Sequence, residues 1–581
     1  MQSITLPSIA NEITRIAEPY SLRPLLSTTQ IRSLESSYAK ERLAQINGLS
    51  TQTDLSLFNT PKHQKLQPTL MESAGKSLAK LCLALAPNSK NIWIACGPGN
   101  NGGDGLVAAV ELQKLGKKTY VSVLGKDIDH LTDLNSDKFG STNDRTSALQ
   151  LAIRMGIELH REPPKQWDFA IDALLGIGLD QENPRPITGT MANWLSLMNT
   201  SESPVLCVDT PSGLYSDTGQ MSAFTSGSKQ QLIHPNLNMN QKRFTLTFLG
   251  LKPGLFTGMG KDFAGEIWFD SLAHNHSPTD LAHDPEKLDY SVHLNAEPPL
   301  IPRLHNSHKG TFSDVIVIGG AKGMQGAAVL ASTGALHMGA GRVFLCLLDE
   351  GPSPYQLSPA LMTRFPKDLP KLGLPSATTV CGCGGGKEIA KYLEHILCTS
   401  LNLVLDADAL NAVAQNQTFK DLLISRDASS MHTVLTPHPL EAARLLGITV
   451  SEIQADRIQC AHRLAEHYRC TVVLKGSGSV IAQYRGKKQI KESAVKEEFD
   501  QRVIPPRIRV NPTGCALLAT AGTGDVLAGM IGSLLAQQGD TWTSACEAVY
   551  LHGRTAQDWE AKDSFDAELL ANRVSYPRIS I

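Results

Sequence analysis

The run Leu518-Ala519-Thr520-Ala521-Gly522-Thr523-Gly524-Asp525 sets small residues ahead of a single carboxylate, and an apolar stretch follows from Val526. A Gly-Thr-Gly turn that opens a helix presents unpaired backbone N–H groups, and the helix dipole favours negative charge there. Phosphate suits such a place. Asp525 at its mouth would repel phosphate, which makes sense if it serves as a base, taking the proton from a hydroxyl that attacks phosphorus. An isolated Gly-x-Gly-Asp is more often a helix start with a capping Asp. Here the length of the small-residue run, and its partners elsewhere in the chain, favour the chemical reading.

Other chemistry-bearing residues also gather at turns. The stretch Gly97-Pro98-Gly99-Asn100-Asn101-Gly102-Gly103-Asp104-Gly105 lacks the Lys-Ser/Thr of a P-loop and the spacing of the dinucleotide fingerprint. Its Asn100, Asn101 and Asp104 offer oxygens to a hydroxyl-rich ligand or a hard cation. Asp172 leads into Gly176-Ile177-Gly178-Leu179, and Asp209 into Thr210-Pro211-Ser212-Gly213. Each Asp alone is more often a cap or turn former; three polar strand-end turns together favour a site. Asp406 and Asp408 either hold Mg2+ through water or cap a helix. His438 stands between Pro437 and Pro439 on a rigid turn, better placed for a ligand than an ordinary histidine. Lys475-Gly476-Ser477-Gly478-Ser479 reads as a hairpin with room for a nucleotide, Lys475 supplying charge for its phosphates.

The elements that must position these groups alternate. Strands are expected at 91–96, 119–124, 169–175, 205–209 and 244–248, with helices at 28–43, from 70 onward and at 106–115. In a parallel sheet the strand C-termini share one edge, so Asn101, Asp172, Asp209 and Ser212 converge. Strands at 314–318, 403–405, 433–436 and 471–474 follow, with helices through Ala328, at 526–537 and at 545–557. The fold class is α/β. A chain of 581 residues calls for two or more domains. With 54 basic and 56 acidic side chains there is no charge excess to recruit nucleic acid. No apolar run is long enough to span a bilayer, and residues 1–20 lack a secretory signal. The 11 cysteines are scattered, and Cys381 and Cys383 are too close for a standard zinc site, so reduced thiols and a cytoplasmic location are expected. Residues 47–67 read as a loop or insertion.

Taken together, the Gly-Thr-Gly-Asp run resembles the anion hole of ribokinase-like small-molecule kinases. With the Asn100–Asp104 motif, Asp172-Ala-Leu-Leu-Gly-Ile-Gly, Asp209-Thr-Pro-Ser212 and Thr436-Pro-His438-Pro-x-Glu441, the chain resembles the bifunctional NAD(P)H-hydrate repair enzymes over about 25–270 and 305–560. The resemblance implies an N-terminal extension (1–24) and a Rossmann-like three-layer epimerase domain (25–275). A linker (276–302) and a ribokinase-like dehydratase domain (303–581) would follow. It implies K+ held by Asn101, Asp172 and Ser212, and substrate contacts at Asn100, Asn101, Gly102, Gly103, Asp104, Gly176, Ile177, Gly178, Leu179, Asp180, Gln181, Glu182 and Asp209, with Asp209 moving the proton. In the second domain it implies substrate contacts at Ala327, Gly386, His438 and Asp525, with Asp525 the base. Nucleotide contacts would fall at Lys475, Gly476, Ser477, Gly478, Ser479, Gly522, Thr523 and Gly524, and Mg2+ at Glu441. The substrates would be NADHX and NADPHX, with ADP or ATP as phosphoryl donor, in a cytoplasmic homo-oligomer that binds neither membrane nor nucleic acid.

Departures from the family pattern stand out at three places. Cys383 replaces a proline and Gly385 a larger residue in the turn at 381–386, which should keep its path with more flexibility. Cys515 and Ala516 replace Asn and Pro, and Lys242-Arg243 stands where a small-acidic pair is expected. Two other functions compete: a plain kinase of a vitamin-precursor alcohol, sharing the anion hole and base, and a non-catalytic N-terminal ligand- or protein-binding module. A redox enzyme fits less well, because the nicotinamide would be substrate rather than hydride carrier.

Overall fold

A computed structural model describes residues 13–50, 68–124, 144–226, 231–233, 237–272, 291–351, 357–486, 507–560 and 562–580. Contacts divide the chain into two units. The first takes in Pro24–Leu255; the second is chiefly Glu286–Ile581, with Pro19–Arg23 and Phe256–Gly258.

The first unit is built on an eight-stranded sheet in the order Thr14–Ile16, Glu266–Asp270, Arg243–Phe248, Val205–Val208, Phe169–Ala173, Asn91–Cys96, Lys118–Val123, Leu159–His160. Only the pairing of Thr14–Ile16 with Glu266–Asp270 is antiparallel. Alternation along the strands sorts the core into two layers. Ile92, Ile94, Cys96, Ile171 and Val208 join one cluster with helices Leu70–Leu85 and Asn100–Lys114. Trp93, Ala95, Ala170 and Cys207 join the other with Trp194 and Leu195 of helix Gly189–Thr200. The result is the expected three-layer α/β arrangement.

From Asn91–Cys96 the chain builds outward to Leu159–His160, then returns to lay Phe169–Ala173 on the other side. The crossovers therefore diverge between those two inner strands, and a crevice forms at their C-terminal ends. The glycine-rich turn begins there. Gly97 N donates to Ala173 O at 2.9 Å. A Cβ at Gly97 would lie 1.8 Å from Leu174 O, so only glycine lets the two strand ends approach.

Two boundaries differ from the sequence reading. The helix expected at 106–115 begins at Asn100, so Gly102, Gly103 and Asp104 are helical rather than part of the turn. Close packing on Gly97 and Met71 outweighs the poor helix propensity of Gly and Asn. The helix read at 28–43 runs to Ser50; the rest of the supposed loop, 51–67, lies outside the described residues.

The second unit repeats the logic. From Asp314–Gly319 the chain moves out through Arg342–Leu347 to Leu361–Arg364. It then sets Thr378–Cys381, Asn402–Leu405, His432–Leu435 and Thr471–Leu474 on the other side, all parallel. Val480–Gln483 and Arg507–Val510 continue antiparallel. The stretch expected as linker is not all linker. Ser291–Leu294 runs parallel to Arg507–Val510, and Ile301–Arg303 pairs with Arg578–Ser580. Such short strands, carrying His and Pro, hold no period for a sequence reading to catch.

The helix that opens at the small-residue run spans Thr523–Gln538 and packs on Gln325–His337. Gly529 permits this: a Cβ there would lie 1.9 Å from Ala331 O. Gly529→Val should destabilise this unit by about 1–3 kcal/mol through overpacking. Scanning calorimetry would show its transition several degrees lower; an unchanged melt would mean the two helices are free to separate.

Candidate active sites

Strand-end turns of the first unit converge on a cavity of about 780 Å3. Asn100, Asn101, Asp104, Gly176, Ile177, Gly178 and Asp209 line it. Gly102, Gly103, Leu179, Asp180, Gln181 and Glu182 do not. Asp180 Oδ1 accepts from Glu182 N at 2.9 Å, and Gln181 Oε1 from Thr218 Oγ1 at 2.7 Å. The helix Thr28–Ser50 closes another side with Glu35, which the sequence reading missed because it sits on a polar helix face with no local signal.

Asp209 is held in the left-handed region at φ 65°, a strained position for a residue with a side chain. Its carboxylate explains how it stays there. Oδ1 accepts from Phe248 N at 3.1 Å, from Thr247 Oγ1 at 3.4 Å and from the fully buried Lys252 ammonium. Lys252 also donates to Phe248 O at 2.7 Å. Lys252 too was not picked out from the sequence as a site residue. Burial, then the Asp209 charge, raises the Glu35 carboxyl above its ordinary range. Asp104 is pushed well above it by burial, then by Asp209, Glu35 and Asp144.

Asn101, Asp172 and Ser212 do come together. Ser212 Oγ donates to Asp172 Oδ1 at 2.6 Å, Ser212 N donates to Oδ2 at 3.0 Å, and Asn101 Nδ2 donates to Val208 O at 2.7 Å and Leu175 O at 3.1 Å. Burial raises the Asp172 carboxyl. Nearby, the buried Thr210 Oγ1 has no hydrogen-bond partner among the described residues. Carboxylate, hydroxyl, amide and two carbonyls make an oxygen-only set of the kind a hard cation takes.

In the second unit Gly522, at φ 91°, caps the helix Thr523–Gln538. The N–H groups of Gly524 and Asp525 make no hydrogen bond among the described residues. Thr523 Oγ1 donates to Leu518 O at 2.9 Å, and Thr523 O lies 2.9 Å from His552 Nε2. Burial lowers the His552 pKa to about 4, so the ring is neutral and donates this bond. Burial, then Asp406, raises Asp525 to about 7. Burial likewise raises Glu441 to about 7. Lys475 Nζ donates to Asp406 Oδ1 at 2.6 Å. Gly524 leaves room for that ammonium, because a Cβ there would sit 3.2 Å from Nζ.

Asp406 occupies a helix N-cap position but makes no capping bond; its side chain serves Lys475. Asp408 Oδ2 accepts from Gly386 N at 2.8 Å, which ties the turn at 381–386 to the acidic one. Ala327 packs beside that turn, within 2.9 Å of where a Cβ on Gly384 would be. His438 has a structural duty: its Nδ1 accepts from Leu440 N at 3.1 Å and Glu441 N at 3.3 Å, capping the helix Pro439–Leu446. Lys475 and Gly476 to Ser479 form the expected hairpin between paired strands, and Arg457, buried beneath, donates to Lys475 O at 3.1 Å. At its tip Ser477 Oγ donates to Gly258 O at 2.7 Å.

Cys383 was expected to loosen its turn. Instead it is fully buried, its carbonyl accepts from Gly320 N at 3.0 Å, and its thiol lies within 4.8 Å of ligand oxygens of Asp406 and Asp525. Burial keeps that thiol protonated. A soft thiol does not suit Mg2+. The carboxylates of Asp406, Glu441 and Asp525 do, and the Lys475 ammonium alone does not balance three of them.

A carboxyl with a raised folded pKa binds its proton more tightly folded than unfolded. Asp525 therefore costs stability progressively as pH rises from about 4 to about 7. Asp525→Asn should melt at least ~2 °C above wild type at pH 8 and level with it near pH 4. Equal melting at pH 8 would mean the carboxylate is well solvated.

Residues 67–254 match the family described as YjeF-related protein N-terminus, and residues 315–497 and 502–576 the family described as NAD(P)H-hydrate dehydratase. The bifunctional NAD(P)H-hydrate repair enzyme Nnr of Escherichia coli (strain K12) is 32% identical over 500 residues, 84% of each chain. That of Coxiella burnetii is 30% identical over 94% of this chain and 98% of its own. The ADP-dependent (S)-NAD(P)H-hydrate dehydratase of Neisseria meningitidis is 37% identical over 47% of this chain and 86% of its own. With both halves matched in order, and 84% and 98% of the two bifunctional relatives spanned, the chain belongs to the family of bifunctional NAD(P)H-hydrate repair enzymes.

Proposed function

We propose that the first unit interconverts the R and S hydrates of NADH and NADPH, and that the second dehydrates the S form, with ADP or ATP as phosphoryl donor. The observation that carries the second activity is the placing of Asp525, half-buried and near pKa 7, on the same helix start as the free N–H groups of Gly524 and Asp525 itself. Asp525 takes the proton from the substrate hydroxyl as it attacks phosphorus. Gly522, Thr523 and Gly524 stabilise the phosphoryl charge, and Lys475 beside them offsets it. Phosphate is a far better leaving group than hydroxide, and its loss with the adjacent ring proton restores the nicotinamide double bond.

Mg2+, bound at Glu441 and Asp406, would neutralise charge on the donor phosphates. K+ at Asn101, Asp172 and Ser212 would tie together the strand ends that carry the epimerase cavity. There, the ion-paired Asp209 is the group that moves a proton. All 11 cysteines are free, in keeping with a reducing cytoplasm, and no helix among the described residues is long and apolar enough to cross a membrane.

The test is to mix a racemic NADPH-hydrate preparation with the protein, Mg2+, K+ and ADP or ATP, and follow the absorbance of reduced nicotinamide. Complete recovery of both epimers, faster than they interconvert unaided, is expected, and the nucleotide that supports it is the donor. Asp525→Asn should lower recovery by about 100-fold or more. Asp209→Asn should stop recovery after one epimer. A stable phosphorylated product would instead point to a kinase of a small alcohol.

A further inference from the structure

Asp104 lines the cavity of the first unit, is 7% exposed, and makes no side-chain hydrogen bond or ion pair among the described residues. The groups that act on it are carboxylates: Asp209 from the end of Val205–Val208, Glu35 from Thr28–Ser50 and Asp144 from the helix Asp144–Arg154. Burial and three like charges push its carboxyl well above the ordinary carboxylate range. Asp209 sits differently. Three donors crowd its Oδ1, among them the buried Lys252 ammonium, while Oδ2 has no partner among the described residues. One cavity thus holds a carboxylic acid and an ion-paired carboxylate, the combination that general acid–base chemistry requires.

The substrate carbon to be inverted carries a hydroxyl and the ring nitrogen. Removing its hydrogen would leave a carbanion beside nitrogen, whose lone pair repels it. Removing its hydroxyl leaves a cation that the nitrogen lone pair stabilises. A cavity of about 780 Å3 with an acid and a base in its wall fits the second route.

We infer that Asp104 is a catalytic acid of the epimerisation, giving its proton to the departing hydroxyl while Asp209 takes a proton from the water that replaces it, so that each inversion exchanges the oxygen. The carbon–oxygen bond breaks with its electron pair on oxygen, and water leaves. The nitrogen lone pair forms a carbon–nitrogen double bond. Water then bonds to the carbon on the other face and passes its proton to Asp209 Oδ2. Asp104 ends as carboxylate and Asp209 as acid, and the two exchange roles in the reverse direction. No oxidant or reductant is involved. The inference rests on the epimerase reading of this unit.

The test is inversion of a single purified epimer by the full-length protein in 18O-labelled water, read by mass spectrometry against an enzyme-free control. One labelled oxygen per inversion is expected at initial rate. Asp104→Asn should slow inversion about 100-fold or more, with dehydration of the S form by the same preparation reporting that the variant is folded. An active wild type that inverts with its oxygen retained overturns the exchange. A larger loss in Glu35→Gln than in Asp104→Asn overturns the choice of acid. A wild type that inverts nothing removes the epimerase reading itself, and this inference with it.

Discussion

A lysine buried against an aspartate at the end of a parallel strand organises both units. Taking an ammonium out of water costs several kcal/mol unless a carboxylate and further acceptors receive it. Lys252 meets Asp209, Thr247 and Phe248 O; Lys475 meets Asp406. In each unit the aspartate follows a central strand directly, and the lysine arrives from the loop after another strand of the same sheet. The sheet therefore fixes where the positive charge lies, and the pairing fixes the turn that carries the aspartate. At Asp209 this holds a strained backbone in place. At Asp406 it turns a helix-cap position to electrostatic use, beside the carboxyl of Asp525.

Both sites depend on the same chain reversal. A sheet that grows first to one side and then to the other leaves a crevice between the two inner strands, and glycine allows the loops to meet there. In the first unit Gly97 brings Cys96 and Leu174 together, and the helix starting at Asn100 then projects Asn101 and Asp104 into the gap. In the second, the turn at 381–386 closes against the helix Gln325–His337, while Thr523–Gln538 delivers Asp525 from the other side.

Much of this was legible in the sequence, because strand-then-glycine-turn-then-helix is a local pattern and the residues that follow the strands fall on one edge. Asn101, Asp172, Asp209 and Ser212 could be expected to meet for that reason. The two lysine pairs were less legible: Lys475 was picked out for its charge, but that it would be held by Asp406 depends on strand order. Glu35 was missed altogether, since it lies far from Asp209 along the chain and sits on a helix whose one other acidic residue, Glu41, is a surface group. Cys383 was noticed only as a departure; that its thiol packs near Asp406 and Asp525 follows from three separate loops arriving at one point. The strands at 291–294 and 301–303 failed for a different reason, being too short to show alternation.

The antiparallel strand Thr14–Ile16 lies beside Glu266–Asp270, so the first and last described strands of the first unit are neighbours. The outer ends of these two strands are about one inter-strand spacing apart, roughly 5 Å. A unit whose ends lie side by side can be inserted into a loop of another protein, or have its ends joined and be reopened elsewhere, without disturbing the strand order that carries its cavity. Its connections are thus interchangeable in a way that the sheet of the second unit, which takes strands from distant parts of the chain, is not.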